Sequence, residues 1–173
     1  MANRSDPFDP RALLAALDRN YVPYVLIGGF ARVIRGTDEI TDGVDICPRL
    51  RSDDLERLGL ALEELEAKRV DRRRLVVDEE TLGQEPLVAL RTAKGELKIV
   101  PEPAGTRRGY DDLRRGSTRE HIGHGLRPSV ASVPDLARMS AALGREQDME
   151  RLRELRRIME VEVSLQRTLG LEL

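Results

Sequence analysis

The sequence is poor in cysteine, in aromatic residues and in long apolar runs. Cys47 is the only cysteine in 173 residues, which excludes an internal disulfide framework and a cysteine-based zinc site. A reduced, cytoplasmic setting is therefore predicted. Aromatic residues make up 3% of the chain and tryptophan is absent, which argues against the stacking platforms of single-strand nucleic-acid binders. No stretch approaches the ~18 continuous apolar residues of a membrane span, so no membrane association is expected.

Charge of neither sign dominates. The 29 Lys and Arg residues nearly balance the 31 Asp and Glu residues, which gives no reason to expect a broad nucleic-acid footprint. Hydrophobic residues at 40% and charged residues at 35% are typical of a globular protein with a heavily charged surface. The length predicts one compact unit, with an α/β core over residues 1–130 and C-terminal helices over residues 131–173 packed on it.

The stretch Tyr24–Pro48, YVLIGGFARVIRGTDEITDGVDICP, organises the rest of the chain. A short apolar run ends at Gly28 and Gly29, which open a helical pattern, and a second apolar run carries Asp45 in its middle. Burying a lone carboxylate is costly unless it is paired or binds a metal. Asp45 is therefore the first candidate functional residue.

Apolar spacing and turn signals predict the other elements. The predicted fold class is α/β (α+β), a mixed β-sheet flanked by helices with a helical C-terminal part. The predicted helices cover residues 10–19, a segment after Gly29, a segment capped by Ser52 with Lys68 and Arg69 at its end, residues 110–115, a segment from Ser132 to Gly144 with Leu143 facing inward, and a last segment from Glu146. The predicted strands cover residues 22–27, 44–47 and 75–77 and a hairpin of residues 87–91 and 96–100.

A Gly-Gly turn between a strand and a helix has a specific chemical use. It lets backbone N–H groups approach a triphosphate, and the helix N-terminus favours the anion. Carboxylates at positions i and i+2 of the next strand point the same way and hold divalent metals against those phosphates. This is the two-metal arrangement for in-line nucleotidyl transfer, and it needs three acids.

The segments VLIGGFARVIRG and ITDGVDICP resemble the nucleotidyltransferase fold of the polymerase-beta superfamily, in particular its small bacterial toxin-antitoxin-associated members (the AbiEii-like or minimal nucleotidyltransferase type). GELKIVPEPAGTRRGYDDL and SVPDLARMSAALGREQD continue the likeness, which spans residues 20–150. The resemblance implies Mg²⁺ and a nucleoside triphosphate (NTP) as cofactor and substrate. It also implies nucleotide contacts at four positions: Gly28, Gly29, Thr41 and Arg145.

The chain departs from the family pattern at the metal-binding positions. Thr41 and Asp45 are kept, but Gly43 stands at the first acid position and Lys98 at the third. In the later helix, two lysines of the family are replaced by Ser140 and Gln147. The pattern therefore predicts a degenerate two-metal site, in which Lys98 forms a salt bridge with Asp45 in place of a metal.

Two other acids are weaker candidates for the missing ligands. Glu96 lies two residues before Lys98 and so shares its strand face, whereas Asp42 reaches the face of Asp45 only if a bulge forms near Gly43. With either acid, Asp45 would hold one Mg²⁺ in an active site.

Three functions stay open on the sequence alone. The leading hypothesis is a catalytically weak or inactive homologue that binds nucleotide or acts as a regulatory or scaffold protein. The second is an active toxin-type enzyme that moves a nucleoside monophosphate from an NTP to RNA, a protein or a small molecule. The third is a protein-interaction module that binds no nucleotide. Arg72–Arg74 and a second basic cluster (Arg107, Arg108, Arg114 and Arg115) would favour RNA or nucleotide binding if both faced one groove. Oligomeric state and any partner protein are open as well.

Overall fold

The computed structural model describes residues 7–170, which form seven helices and one mixed sheet of seven strands. The predicted fold class is confirmed. The helices are α1 (Pro10–Arg19), α2 (Gly28–Arg35), α3 (Ser52–Glu64), α4 (Glu79–Gly83), α5 (Tyr110–Gly116), α6 (Val133–Leu143) and α7 (Glu146–Thr168). The strands are β1 (Tyr24–Ile27), β2 (Gly43–Pro48), β3 (Lys68–Arg69), β4 (Val88–Thr92), β5 (Gly95–Ile99), β6 (Thr118–Arg119) and β7 (Ser129–Val130).

The sheet order is β3-β4-β5-β2-β1-β7-β6, so β2 lies at the centre. It pairs antiparallel with β1 and parallel with β5, and the predicted hairpin of β4 and β5 extends the sheet. Alternate residues of β5, and of β2 up to Ile46, are buried, and the residues between them are only partly covered. One face of these two strands therefore packs in the core, and the other borders a cleft.

Helix α1 forms as its sequence predicts. The Asp9 side chain accepts a hydrogen bond from the backbone N–H of Ala12 at 3.0 Å, and Pro10 occupies the first helical position. Leu13, Leu14 and Leu17 are buried in the core. Of the residues before α1, the structure describes residues 7–9, and Asp9 supplies the N-cap.

Four details of the prediction are wrong. The Ser52 side chain caps nothing, because Arg51 is the N-cap residue and α3 ends at Glu64. Lys68 and Arg69 form β3 instead of extending that helix, since Glu66 takes a left-handed φ of 53° that turns the chain toward β4. Residues 75–77 are not a strand. Leu143, at the last turn of α6, is half-exposed instead of facing inward.

Helices α6 and α7 pack against each other after the sheet. The Ser132 hydroxyl accepts from the N–H of Asp135 at 3.2 Å to start α6, and Gly144 ends it with a φ of 65°. Leu152 and Leu155 are buried where α7 meets the core, whereas residues 160–170 are all exposed. Across residues 7–170, none of the helices combines the length and apolar character needed to cross a membrane.

Candidate functional site

The turn between β1 and α2 forms one wall of the cleft. Gly28 has a φ of +71°, a conformation that side-chain-bearing residues avoid. A Cβ placed on Gly28 would lie 2.2 Å from Oδ2 of Asp45, so the Asp45 carboxylate occupies the space beside the start of the helix. The β1–β2 register explains this contact, because Asp45 pairs with Ile27, the last residue of β1. Glycine is required at position 28 for both its conformation and its missing side chain.

The other side of Asp45 faces β5. The parallel register sets Asp45 beside Lys98 and Gly43 beside Glu96. The two altered acid positions therefore lie next to the retained acid, and Glu96 lies next to the position from which a carboxylate is missing. However, the ion pairs found among residues 7–170 do not include the predicted salt bridge between Asp45 and Lys98. Lys98 lies beside Asp45 on the neighbouring strand and lowers its pKa through its charge without forming an ion pair.

The charges around Asp45 oppose one another. Burial is the largest influence and raises the pKa of the Asp45 carboxyl above its ordinary value. The positive charges of Lys98 and Arg32 lower that pKa, but they do not cancel the effect of burial. The negative charges of Glu96 and Asp42 raise it further. An additional cation in the cleft would therefore stabilise the ionised form of Asp45.

Asp45→Asn is expected to stabilise the ligand-free protein at neutral pH. Because folding raises the pKa of Asp45, ionising this carboxyl is less favourable in the folded than in the unfolded protein. The folded state suffers no penalty below the unfolded-state pKa, where the carboxyl is protonated in both states. The wild type loses stability as the pH rises through the folded-state pKa. The melting temperature of Asp45→Asn should therefore exceed that of the wild type at pH 7, and the gap should close as the pH falls below 4. Asp18→Asn, an exposed change on α1, serves as the control. A pH-independent gap would contradict the assignment.

Glu39 is a site residue that the sequence reading missed. The Arg32 guanidinium donates two hydrogen bonds to its carboxylate, both at 2.9 Å, and the Thr37 hydroxyl donates a third at 2.7 Å. The Glu39 side chain is only 7% exposed, and Oε1 lies 3.1 Å from where a Cβ of Gly29 would be. Burial raises the pKa of Glu39, but the bonds from Arg32 and Thr37 more than offset this and hold it below its ordinary value. A second carboxylate therefore borders the turn, already neutralised by an arginine.

Thr41 and Asp42 lie between Glu39 and β2. The Thr41 hydroxyl donates to the backbone carbonyl of Gly43 at 3.0 Å and lies close to Gly29, as expected for a residue of the turn. Asp42 occupies a bend before β2 begins, so the alternation of a regular strand does not fix its direction. It lines the cleft together with Glu96 without the bulge that the sequence argument required.

Two adjoining cavities make up the cleft. One of about 680 Å³ runs from the Gly28 turn along α6, and one of about 280 Å³ opens toward Thr41 and Glu96. Both are lined by the same charged and polar group: Arg32, Glu39, Asp45, Lys98, Arg145 and Gln147. The larger cavity also has an apolar wall formed by Leu87, Val100, Leu136, Met139 and Leu143. The cleft is thus charged at the turn and apolar at its far end.

Arg145 enters the cleft from the start of α7. Its guanidinium lies 2.6 Å from the Asp148 carboxylate, which holds the pKa of Asp148 below its ordinary value. Ser140 and Gln147, the two replaced lysines of the family pattern, also line the larger cavity. The C-terminal helices therefore contribute cleft residues at the positions that the resemblance indicates.

The two basic clusters do not share this cleft. Arg72, Arg73 and Arg74 line a separate cavity of about 380 Å³, where Arg73 pairs with Asp71 and Glu85. None of the arginines at positions 107, 108, 114 and 115 is among the cleft residues. Neither basic cluster therefore adds positive charge to the cleft beside Asp45.

The side chains at the turn do not fit a pair of Mg²⁺ ions. Within residues 7–170, no three carboxylate, histidine or cysteine side chains come together as a metal site. Two-metal sites need several carboxylates on one face, and at two of the positions where the resemblance expects them this chain has Gly43 and Lys98. Glu39 has its oxygens engaged by Arg32. At the position of β5 beside Asp45, the cleft therefore presents a cation, Lys98, instead of a carboxylate.

This sheet, with a Gly-Gly turn opening onto an acid of the neighbouring strand, has the nucleotidyltransferase fold. The lincosamide antibiotic adenylyltransferase LnuA, solved with lincomycin bound, is similar over 88% of this chain and 99% of its own, with a TM-score of 0.58 and 16% identity. The antibiotic-resistance factor ANT(2'')-Ia is similar over 92% of this chain and 91% of its own, with a TM-score of 0.53 and 15% identity. No protein-family model and no curated protein sequence matches the chain.

Proposed function

We propose that this protein binds a nucleoside triphosphate in the cleft and transfers its nucleoside monophosphate part poorly or not at all. The observation that carries the proposal is the register of β2 and β5, which sets Lys98 beside Asp45 at the heart of the site. A lysine supplies one positive charge and no metal ligand, whereas a carboxylate would supply the ligand. The protein is then a degenerate homologue with a nucleotide-binding, regulatory or scaffold role.

The cleft offers separate groups for the phosphates and for the rest of the nucleotide. The first-turn N–H groups of α2 attract an anion at Gly28 and Gly29. Lys98 lines the same space and brings a positive charge that neutralises phosphate oxygens, and Arg145, which also binds Asp148, adds guanidinium N–H donors. The apolar wall along α6 suits the ring system of a base. Binding of this kind depends on the side chains of the chain itself and does not require a divalent cation.

Transfer chemistry would be severely weakened at such a site. Metals in this arrangement orient the attacking hydroxyl and stabilise the leaving pyrophosphate, and one positioned electrostatic group alone is worth roughly 10²–10³ in rate. Two altered acid positions therefore support a loss of several orders of magnitude. The small bacterial toxin-antitoxin-associated subtype and an RNA or protein partner are further parts of the proposal, and they rest on the resemblance of the sequence motifs. A cytoplasmic location is also proposed, and it rests on the single cysteine.

A second candidate function is Mg²⁺-dependent transfer of a nucleoside monophosphate to a small molecule. The large cavity beside Asp45 favours it, since about 680 Å³ lies within the usual size of small-molecule sites. LnuA and ANT(2'')-Ia are named for antibiotic adenylylation and antibiotic resistance, respectively. Under this alternative Asp45 would hold one Mg²⁺ with Glu96 or Asp42, both of which line the smaller cavity.

Calorimetric titration with ATP in EDTA, and separately in Mg²⁺, tests the proposal. Binding is expected under both conditions, and Lys98→Met should weaken it roughly tenfold or more because a charged partner of phosphate is lost. Lys94→Met, in the β4–β5 turn, should bind like the wild type.

An assay with α-labelled NTPs, RNA, protein and a lincosamide acceptor completes the test. Little or no label transfer is expected. Binding that requires Mg²⁺ together with efficient transfer would favour the second candidate. No binding in either buffer would overturn both and leave the protein-interaction module.

A further inference from the structure

The C-terminal half of α7 leaves the body of the protein and carries an apolar stripe. Residues 160–170 are all exposed, and within them Val161 is 58%, Leu165 54% and Leu169 66% exposed. Short helices are marginal in water without tertiary packing. No ion pair among residues 7–170 involves a residue after Glu154, so charge pairs do not support this end of the helix. A helix built this way gains its stability from a partner.

The stripe continues a seam that the protein already uses. Arg151 and Glu154 bind the loop before β2: Arg151 donates to the carbonyl of Asp38 at 3.2 Å, and Glu154 accepts from its N–H at 2.9 Å. Positions 151, 154, 158, 161 and 165 follow one another at alternating spacings of three and four residues. This is the spacing of the contact positions of a coiled coil. We call the part after these contacts, the partly buried Ile158 and the exposed Val161 and Leu165, the α7 seam.

We propose that the α7 seam pairs in parallel with the α7 seam of a second copy of this chain. Charge decides the orientation. With the seam residues at the contact positions, Arg157 and Glu162 occupy the two flanking positions. In a parallel pair, Arg157 of one copy lies beside Glu162 of the other, and the two-fold symmetry makes this favourable pair twice.

The antiparallel arrangement brings like charges together. Setting Val161 of one copy against Leu165 of the other in opposite directions places Glu162 beside Glu162 of the second copy. Like charges at flanking positions disfavour that pairing. The seam begins where Ile158 packs near Gly36, so the pairing starts at the body of each copy. Only about two heptads take part, so the dimer is weak and dependent on concentration.

Sedimentation equilibrium on the full chain, from low micromolar to roughly millimolar concentration, tests the proposal. The wild type is expected to shift reversibly from monomer to dimer over this range. Leu165→Glu should weaken the dimer at least tenfold, because it buries a carboxylate in the seam. Leu60→Glu, at an equally exposed leucine on α3, is the matched control and should dimerise like the wild type.

Charge reversal tests the orientation. Arg157→Glu and Glu162→Arg alone should each weaken the dimer several-fold, and the double variant should restore it. Thr168→Cys should form a disulfide-linked dimer on mild oxidation, because position 168 continues the seam. A wild type that stays monomeric throughout, a dimer that Leu165→Glu leaves intact, or a double variant that fails to restore pairing would each overturn the proposal.

Discussion

Gly28→Ala is expected to abolish nucleotide binding and to lower the free energy of unfolding by roughly 2–4 kcal/mol. The new methyl group would meet Asp45 Oδ2 at 2.2 Å, and alanine would have to hold a φ of +71°. Both effects displace the turn whose N–H groups are proposed to bind the phosphates. Urea denaturation measures the loss of stability, and ATP titration of the folded fraction measures the loss of affinity, which should reach about a hundredfold or more.

Gly59→Ala is the matched control for this substitution. Gly59 lies within α3, and a Cβ there would meet nothing within 4 Å. It should raise the free energy of unfolding by about 0.5–1 kcal/mol and leave ATP binding unchanged. Combining Gly28→Ala with Asp45→Gly separates the two causes, because removing the carboxylate should recover the part of the stability lost to the clash. Unchanged stability and affinity in Gly28→Ala would contradict the site.

Lys98→Asp is expected to create a divalent-cation site. The substitution removes the cation beside Asp45 and leaves carboxylates at three neighbouring places: position 98, Asp45 and Glu96. Mn²⁺ at a hundredfold excess over its dissociation constant should stabilise the variant by about 2.7 kcal/mol, and the wild type much less. Melting curves over a Mn²⁺ series measure the effect. Without metal the variant should be less stable than the wild type, because like charges are brought together.

Two further variants sharpen this test. Lys94→Asp, in the turn beside β5, should show no metal response, since it lies outside the cleft lining. Adding Gly43→Asp to Lys98→Asp would restore the full acidic pattern, but a Cβ at position 43 lies 3.1 Å from the backbone oxygen of Glu96, so β5 must shift slightly. Label transfer that appears only in the double variant would support the degenerate-site proposal. A flat Mn²⁺ response in Lys98→Asp would count against the site geometry.

The part of the site that the sequence predicted is the part with local signals. A glycine pair after an apolar run and an acid inside a strand pattern are both visible within a few residues, so Gly28, Gly29 and Asp45 were found. The pairing of β2 with β5 also matched, because the motif resemblance fixed which residue of the later strand faces Asp45. The predicted salt bridge was wrong, since the Asp45 carboxylate lies against Gly28 and, among the described residues, no ion pair joins it to Lys98.

The part that was missed depends on chain reversals. In the sequence, Glu39 is one more polar residue in a connecting loop. In the structure, Gly36 has a left-handed φ of 116° where the loop leaves α2, and the loop brings Glu39 within hydrogen-bonding distance of Arg32. Strand β3 was assigned to a helix, because its pairing with β4 depends on residues about twenty positions away. Neither contact leaves a periodic signal in the sequence.

The single thiol of the chain lies directly behind the site. Cys47 follows Asp45 by two positions in β2, is fully buried and donates weakly to the carbonyl oxygen of Pro101 at 3.7 Å. Burial raises its pKa to about 12, so almost no thiolate exists at neutral pH. Alkylating reagents therefore reach it only when the centre of the sheet opens. The alkylation rate of Cys47 therefore reports how often the centre of the sheet opens. Slower alkylation in the presence of ATP would measure how strongly a bound nucleotide stabilises the closed sheet.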